Sequence, residues 1–311
     1  MHLTRLILAA SIALAVATSA KAEPLKIVTD IAPVQSLVAM ITGEVAQPVA
    51  LLPPGASPHS YALRPSEAAS LADADVVIWM GSDLTPGLAR SIDTLAKDGA
   101  PISLLELPDV NLLERRATVS FTEDDHEGHA HDSDHGHDHS DTSADPHAWL
   151  DPLVAAAWMQ PIAKRLAASD PENGPRYMAN AATAAQDLAS LGDEINARLS
   201  PMRGQGFLVA HDFLQYFERR AGLLASGAVS DADAIAPGAA RVRKIGELTA
   251  DGAIRCMLVE PMSNRALVDQ IAAQDGIRVA VADPLGLGLE PGPELYGQLI
   301  RRLADTIADC L

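Results

Sequence analysis

The chain has 311 residues, 48% of them hydrophobic, and its 41 Asp and Glu outweigh 23 Lys and Arg to give a formal charge of −18. That length is enough for one large or two medium domains with real cores. So acidic a surface repels phosphate backbones, which argues against nucleic acid as a partner.

The first 22 residues read as a secretory signal peptide: a basic start, MHLTR, then the apolar run LILAASIALAVA, then Ala20-Lys21-Ala22 as a small-residue cleavage site. The apolar run is short of the roughly 20 residues that a membrane span needs. Cleavage near Ala22 would release a soluble protein outside the cytoplasm and, by removing Arg5 and Lys21, move the charge from −18 to about −20. In that oxidising compartment an even count of two cysteines, Cys256 and Cys310, reads as one disulfide.

Beyond the leader, short apolar runs alternate with segments of helical period. Residues 25–30, 48–52, 75–81 and 102–107 are candidate strands in the first half, and 206–212, 223–229, 254–260 and 277–283 in the second. Near-continuous apolar strands alternating with helices predict parallel sheets buried on both faces. The fold class is therefore α/β, with two similar lobes, each a four-stranded parallel sheet flanked by helices. From Pro175 to about Leu199 the chain is Ala-rich, and Leu188, Leu191, Ile195 and Leu199 recur at three- and four-residue steps. This predicts one long amphipathic helix, ended by Ser200-Pro201. The expected domains are an N-terminal lobe at 23–170, a linker helix within 171–203 and a C-terminal lobe at 204–311.

Ten histidines are distributed unevenly. His126, His129, His131, His135, His137 and His139 crowd into the tract HEGHAHDSDHGHDH. His59, His147 and His211 stand apart from it, each at a loop by this reading: His59 after the second strand, His147 just past the tract, His211 at the end of the fifth strand. Asp283 ends the last strand. Ligands of open α/β sheets bind at the carboxyl ends of strands, and three imidazoles with one oxygen make a tetrahedral zinc site. Taken singly, each histidine is an ordinary loop residue, and spacing alone does not show that they meet.

The segments LLPPGASPHSYALRPSE, PHAWLDP, FLVAHDFLQYF and VADPLG, in this order and with a His/Asp-rich stretch just before the second, resemble those of the zinc-binding periplasmic proteins of bacterial zinc ABC importers, the ZnuA type. The likeness covers essentially all of the chain past the leader. It implies that His59, His147 and His211 are ligands of Zn(II), with Asp283 at the acidic fourth position that manganese-binding relatives use. Some zinc members carry Glu just before the first ligand histidine; here that residue is Pro58. Manganese members typically have Glu where this chain has His211, and imidazole favours zinc over manganese. The resemblance also implies the Cys256–Cys310 bridge, and it places Glu260 near the cleft, where it could orient a ligand histidine.

The tract is a separate question. Residues 122–143 contain no apolar side chain except Ala130, so they cannot bury a core and are expected to be disordered. Neutral imidazoles on a flexible segment bind metal more weakly than a preorganised site, because the chain must be ordered to wrap the ion. The tract is thus expected to be an accessory that captures or buffers zinc beside the main site.

The expected function is a monomeric, non-enzymatic zinc-binding component of an ABC importer that hands its ion to an inner-membrane permease. A secreted zinc hydrolase is the alternative from another class, since three ligands with an open position also describe catalytic zinc. No HExxH or comparable arrangement supplies its general base. A manganese-binding member of the same family is the other alternative.

Overall fold

A computed structural model describes residues 23–96, 101–108, 110–116, 118–121, 144–250 and 252–311. The first lobe holds β1 (Ile27–Thr29), β2 (Val49–Ala50), β3 (Val76–Trp79) and β4 (Ile102–Ser103), with helices α1 (Ala32–Thr42), α2 (Pro65–Ala72) and α3 (Pro86–Leu95). Next come α4 (Pro152–Ser169) and α5 (Gly174–Leu199). The second lobe holds β5 (Gly206–His211), β6 (Gly227–Ser230), β7 (Ile254–Val259) and β8 (Arg278–Val281), with α6 (Gln215–Ala221), α7 (Ala239–Thr249), α8 (Arg265–Asp275) and α9 (Leu295–Cys310). No described helix is long and apolar enough to cross a membrane.

Both sheets are parallel and share one topology, β2-β1-β3-β4 and β6-β5-β7-β8. Each first strand is central and almost wholly buried, as its apolar run requires. The edge strands β2 and β4 have two residues each, shorter than expected. In the 102–107 run, pairing stops after Ser103 and Leu104–Glu106 coil into a 3-10 turn that buries Leu104 and Leu105. The 223–229 run pairs only from Gly227, because Gly222 adopts a left-handed conformation at the end of α6 and the chain needs the next residues to turn.

The α5 helix joins the lobes and belongs to both. Tyr177, Ala181, Ala184, Leu188, Leu191, Ile195 and Leu199 form its buried stripe, at steps of three and four. It packs along α4 and touches α1, α6 and α9. One continuous core runs across the junction and includes the fully buried Trp149, Trp158, Tyr177, Tyr216 and Tyr296. Polar ties cross it too: Trp149 Nε1 donates to the Pro284 carbonyl at 2.9 Å, and Tyr296 Oη donates to the Trp149 carbonyl at 2.7 Å. Lobes that share aromatic packing and buried hydrogen bonds resist a wide hinge motion, since opening them would expose apolar area at about 25 cal/mol per Å².

Cys256 on β7 and Cys310 at the end of α9 form a disulfide, with Cα atoms 5.6 Å apart across a sequence separation of 54. Closing a loop of that size restricts the unfolded chain by about 4 kcal/mol in the entropy treatment. Replacing both cysteines by Ala is expected to lower unfolding free energy by about that amount in chemical denaturation. An unchanged midpoint would mean that packing of α9 alone carries the connection.

Candidate metal centre

His59 lies in a 3-10 turn, Pro58–Ser60, on the connection after β2. That turn sits against the start of α3, where Gly87 lets the two backbones touch: a Cβ there would fall 2.1 Å from the Tyr61 carbonyl oxygen. His147 precedes the 3-10 turn Ala148–Leu150, and His211 is the last residue of β5. The centre therefore takes two imidazoles from the first lobe's side of α5 and one from the second.

The three rings meet. Their centroids are 5.3 Å (His59–His147), 5.1 Å (His59–His211) and 4.9 Å (His147–His211) apart. One nitrogen from each lies within 4.8 Å of the others, and among the described residues this is the sole such cluster of His, Cys, Asp or Glu. Zinc–nitrogen bonds of 2.0–2.1 Å set tetrahedral N···N separations of roughly 3.4 Å, so the rings need to draw in by about an ångström to grip one ion. His147 and His211 are buried. His59 Nε2 is itself buried with no hydrogen-bond partner, which a chain seldom tolerates unless something else fills that role. The donor set suits zinc.

His147 and His211 each have Nδ1 against a carboxylate. Glu260, just past β7, has Oε2 2.7 Å from His211 Nδ1, and His211 Nε2 lies 3.1 Å from the Ala232 carbonyl. Asp145 Oδ1 accepts from the backbone N–H of His147 at 3.0 Å and lies 2.8 Å from its Nδ1. These settings divide the imidazoles electrostatically. Burial, then repulsion by His147 and His211, depresses the His59 pKa to about 2. Burial drives His147 well below its ordinary value. Burial opposes charge on His211 as well, but Glu260 outweighs it and lifts that group to about 9.

Asp283 does not join the cluster. Its carboxylate accepts the backbone N–H groups of Leu285, at 2.9 Å, and Leu287, which shapes the turn after β8. The six histidines of the tract, 126–139, lie outside the described residues. The flanks of the tract are tied into the fold: the Phe121 N–H donates to the Ser226 carbonyl at 3.1 Å, and Ala144 forms an antiparallel bridge with Glu114.

Several residues of the centre escape a reading of the sequence. Arg116 is buried, with Nε 3.0 Å from Asp212 Oδ2 and Nη1 2.9 Å from Glu218 Oε2, and its guanidinium lies 3.7 Å from the Phe121 ring centroid. The neighbouring Arg115 pairs with Asp233 across the lobes. Asp145 carried one usable signal, its place two residues before a candidate ligand. A cavity of about 520 Å³ is walled by His59, His211, Glu260, Ser230, Pro237 and Met262.

Residues 27–310 match the family described as ZnuA, zinc-uptake complex component A, periplasmic. The chain is 40% identical to the high-affinity zinc uptake system protein ZnuA of Paracoccus denitrificans, over 98% of this chain and 97% of that one. A crystal structure of ZnuA superposes with a TM-score of 0.76 at 22% identity, covering 93% of this chain and 99% of the other. A zinc-bound ZnuA deletion mutant gives 0.75 at 22% identity, covering 93% and 98%. The match spans nearly the whole sequence, and the family is one of zinc-uptake components rather than enzymes. The chain belongs to the ZnuA family, the periplasmic zinc-binding components of ABC-type zinc uptake systems.

Proposed function

We propose that this protein captures Zn(II) between its lobes with His59, His147 and His211 and delivers it to an inner-membrane ABC permease. The observation that carries the reading is the convergence of three imidazole nitrogens from both lobes, one of them buried and unpartnered. Glu260 acts behind His211, holding Nδ1, so that the ion takes Nε2 in place of the Ala232 carbonyl. Asp283 could complete the shell only by leaving two backbone N–H groups, so the fourth position is assigned to it only after that rearrangement. All three imidazoles come from one chain, which suits a monomer. The mature protein begins near residue 23, after removal of the leader.

The test is zinc titration of the mature protein beside a version lacking residues 122–143. One tight equivalent is expected in both, with only weaker equivalents lost on deletion, since an unstructured tract must be ordered to hold metal. Loss of the tight equivalent would transfer the main site to the tract. For delivery, a strain lacking this protein should fail to grow in zinc-chelated medium and recover with the wild type. Recovery with a His147→Ala version would refute the assignment.

A further inference from the structure

We infer that Asp145 is a positioning residue for zinc capture, one that fixes the His147 imidazole as its Nδ1–H tautomer. The inference rests on the proposed three-imidazole site.

The geometry is specific. Asp145 Oδ1 takes two hydrogen bonds from the same residue, the His147 N–H at 3.0 Å and Nδ1 at 2.8 Å. A ring so held keeps Nε2 as its one free lone pair, the state in which imidazole binds metal. The carboxylate is itself fixed. Its backbone N–H donates to the Leu113 carbonyl at 2.8 Å, Ala144 beside it is bridged to Glu114, and Pro146 limits rotation on the other side. Glu260 plays the same part for His211 from the other lobe.

Beyond the His147 N–H that it accepts, the Asp145 carboxylate does little for the fold. It is wholly buried, and its Oδ2 has no partner. The nearest cation, Arg116, is already engaged by Asp212 and Glu218. A buried, half-satisfied carboxylate beside two others destabilises a protein unless a cation offsets it. A residue kept for packing would not leave an oxygen orphaned. One that faces an arriving cation through His147 would.

Opposite signs make the test sharp. Asp145→Asn retains an acceptor and loses the charge, whereas Asp145→Leu loses both. Zinc dissociation, followed by transfer to a chromogenic chelator, should be about 10-fold faster for Asn and about 100-fold faster for Leu, the span seen when groups behind metal ligands are removed. The melting temperature of metal-free Asp145→Asn should equal or exceed that of the wild type. In ¹⁵N-labelled imidazole spectra, His147 should be a single Nδ1–H tautomer in the wild type and a mixture in Asp145→Leu. Dissociation within twofold of wild type in both variants, or an unaltered tautomer in Asp145→Leu, would overturn the inference. So would a loss of affinity accompanied by a lower metal-free melting temperature in Asp145→Asn, since that is a structural residue's signature. If His147→Ala also leaves zinc binding intact, the three-imidazole site itself falls, and this inference with it.

Discussion

Replacing His59, His147 or His211 by Ala is expected to weaken zinc binding by roughly 100- to 1,000-fold. Four-ligand zinc sites supply about 10–16 kcal/mol at neutral pH, so one ligand's share is about 3–4 kcal/mol. The three replacements should differ in pH dependence, although they fail to a similar degree. His59 and His147 are neutral well below physiological pH and give up no proton to the ion. His211, raised to about 9 by Glu260, is protonated at pH 7 and must release a proton when zinc takes its nitrogen. Affinity should therefore rise with pH up to about 9, approaching tenfold per unit, with one proton released per zinc. Calorimetry in buffers of different ionisation enthalpy counts that proton directly. The count should fall toward zero in His211→Ala and stay near one in His59→Ala. Equal counts in the two variants would remove His211 from its assigned role.

The second large effect concerns stability. Arg116→Met should destabilise the protein by about 3–5 kcal/mol, the usual result of removing one partner from a buried ion pair. Asp212 and Glu218 would both be left buried without their guanidinium. The pH dependence has a defined sign. Burial pushes the Asp212 carboxyl up to about 6 even with Arg116 beside it. A carboxyl raised on folding favours the folded state while it is protonated, below its unfolded value near 4, and that benefit is lost as pH climbs through 6. Without Arg116 the loss steepens, so the deficit against wild type should be largest near pH 8 and shrink toward pH 5. Denaturant midpoints at the two pH values measure it. A deficit independent of pH would mean that lost packing against Phe121, rather than uncompensated charge, is responsible.

Much of the architecture was legible because parallel strands buried on both faces leave long apolar runs, and because a 26-residue helix such as α5 repeats its stripe several times over. The edge strands were overestimated. A run such as 102–107 is equally apolar whether it pairs or coils, and only the presence of a neighbouring strand decides between the two. The three histidines that converge were legible through motifs, and His211 also through its place at the end of β5. Their proton affinities were not. A reading from the unperturbed value near 6.5 treats three imidazoles alike, while in the folded chain burial sends His59 and His147 down and Glu260 lifts His211. Arg116 gave no signal at all, since its two partners lie about a hundred residues away and only the fold joins them.

The origin of the three imidazoles also has a bearing on biosynthesis. A polypeptide emerging amino end first presents His59 and His147 long before His211, whose strand is completed by segments after α5. Two nitrogens make a poor trap for a metal. Firm retention of zinc at this centre therefore has to wait until the last third of the chain has been delivered and has docked, and until then only the weaker histidine tract is on offer.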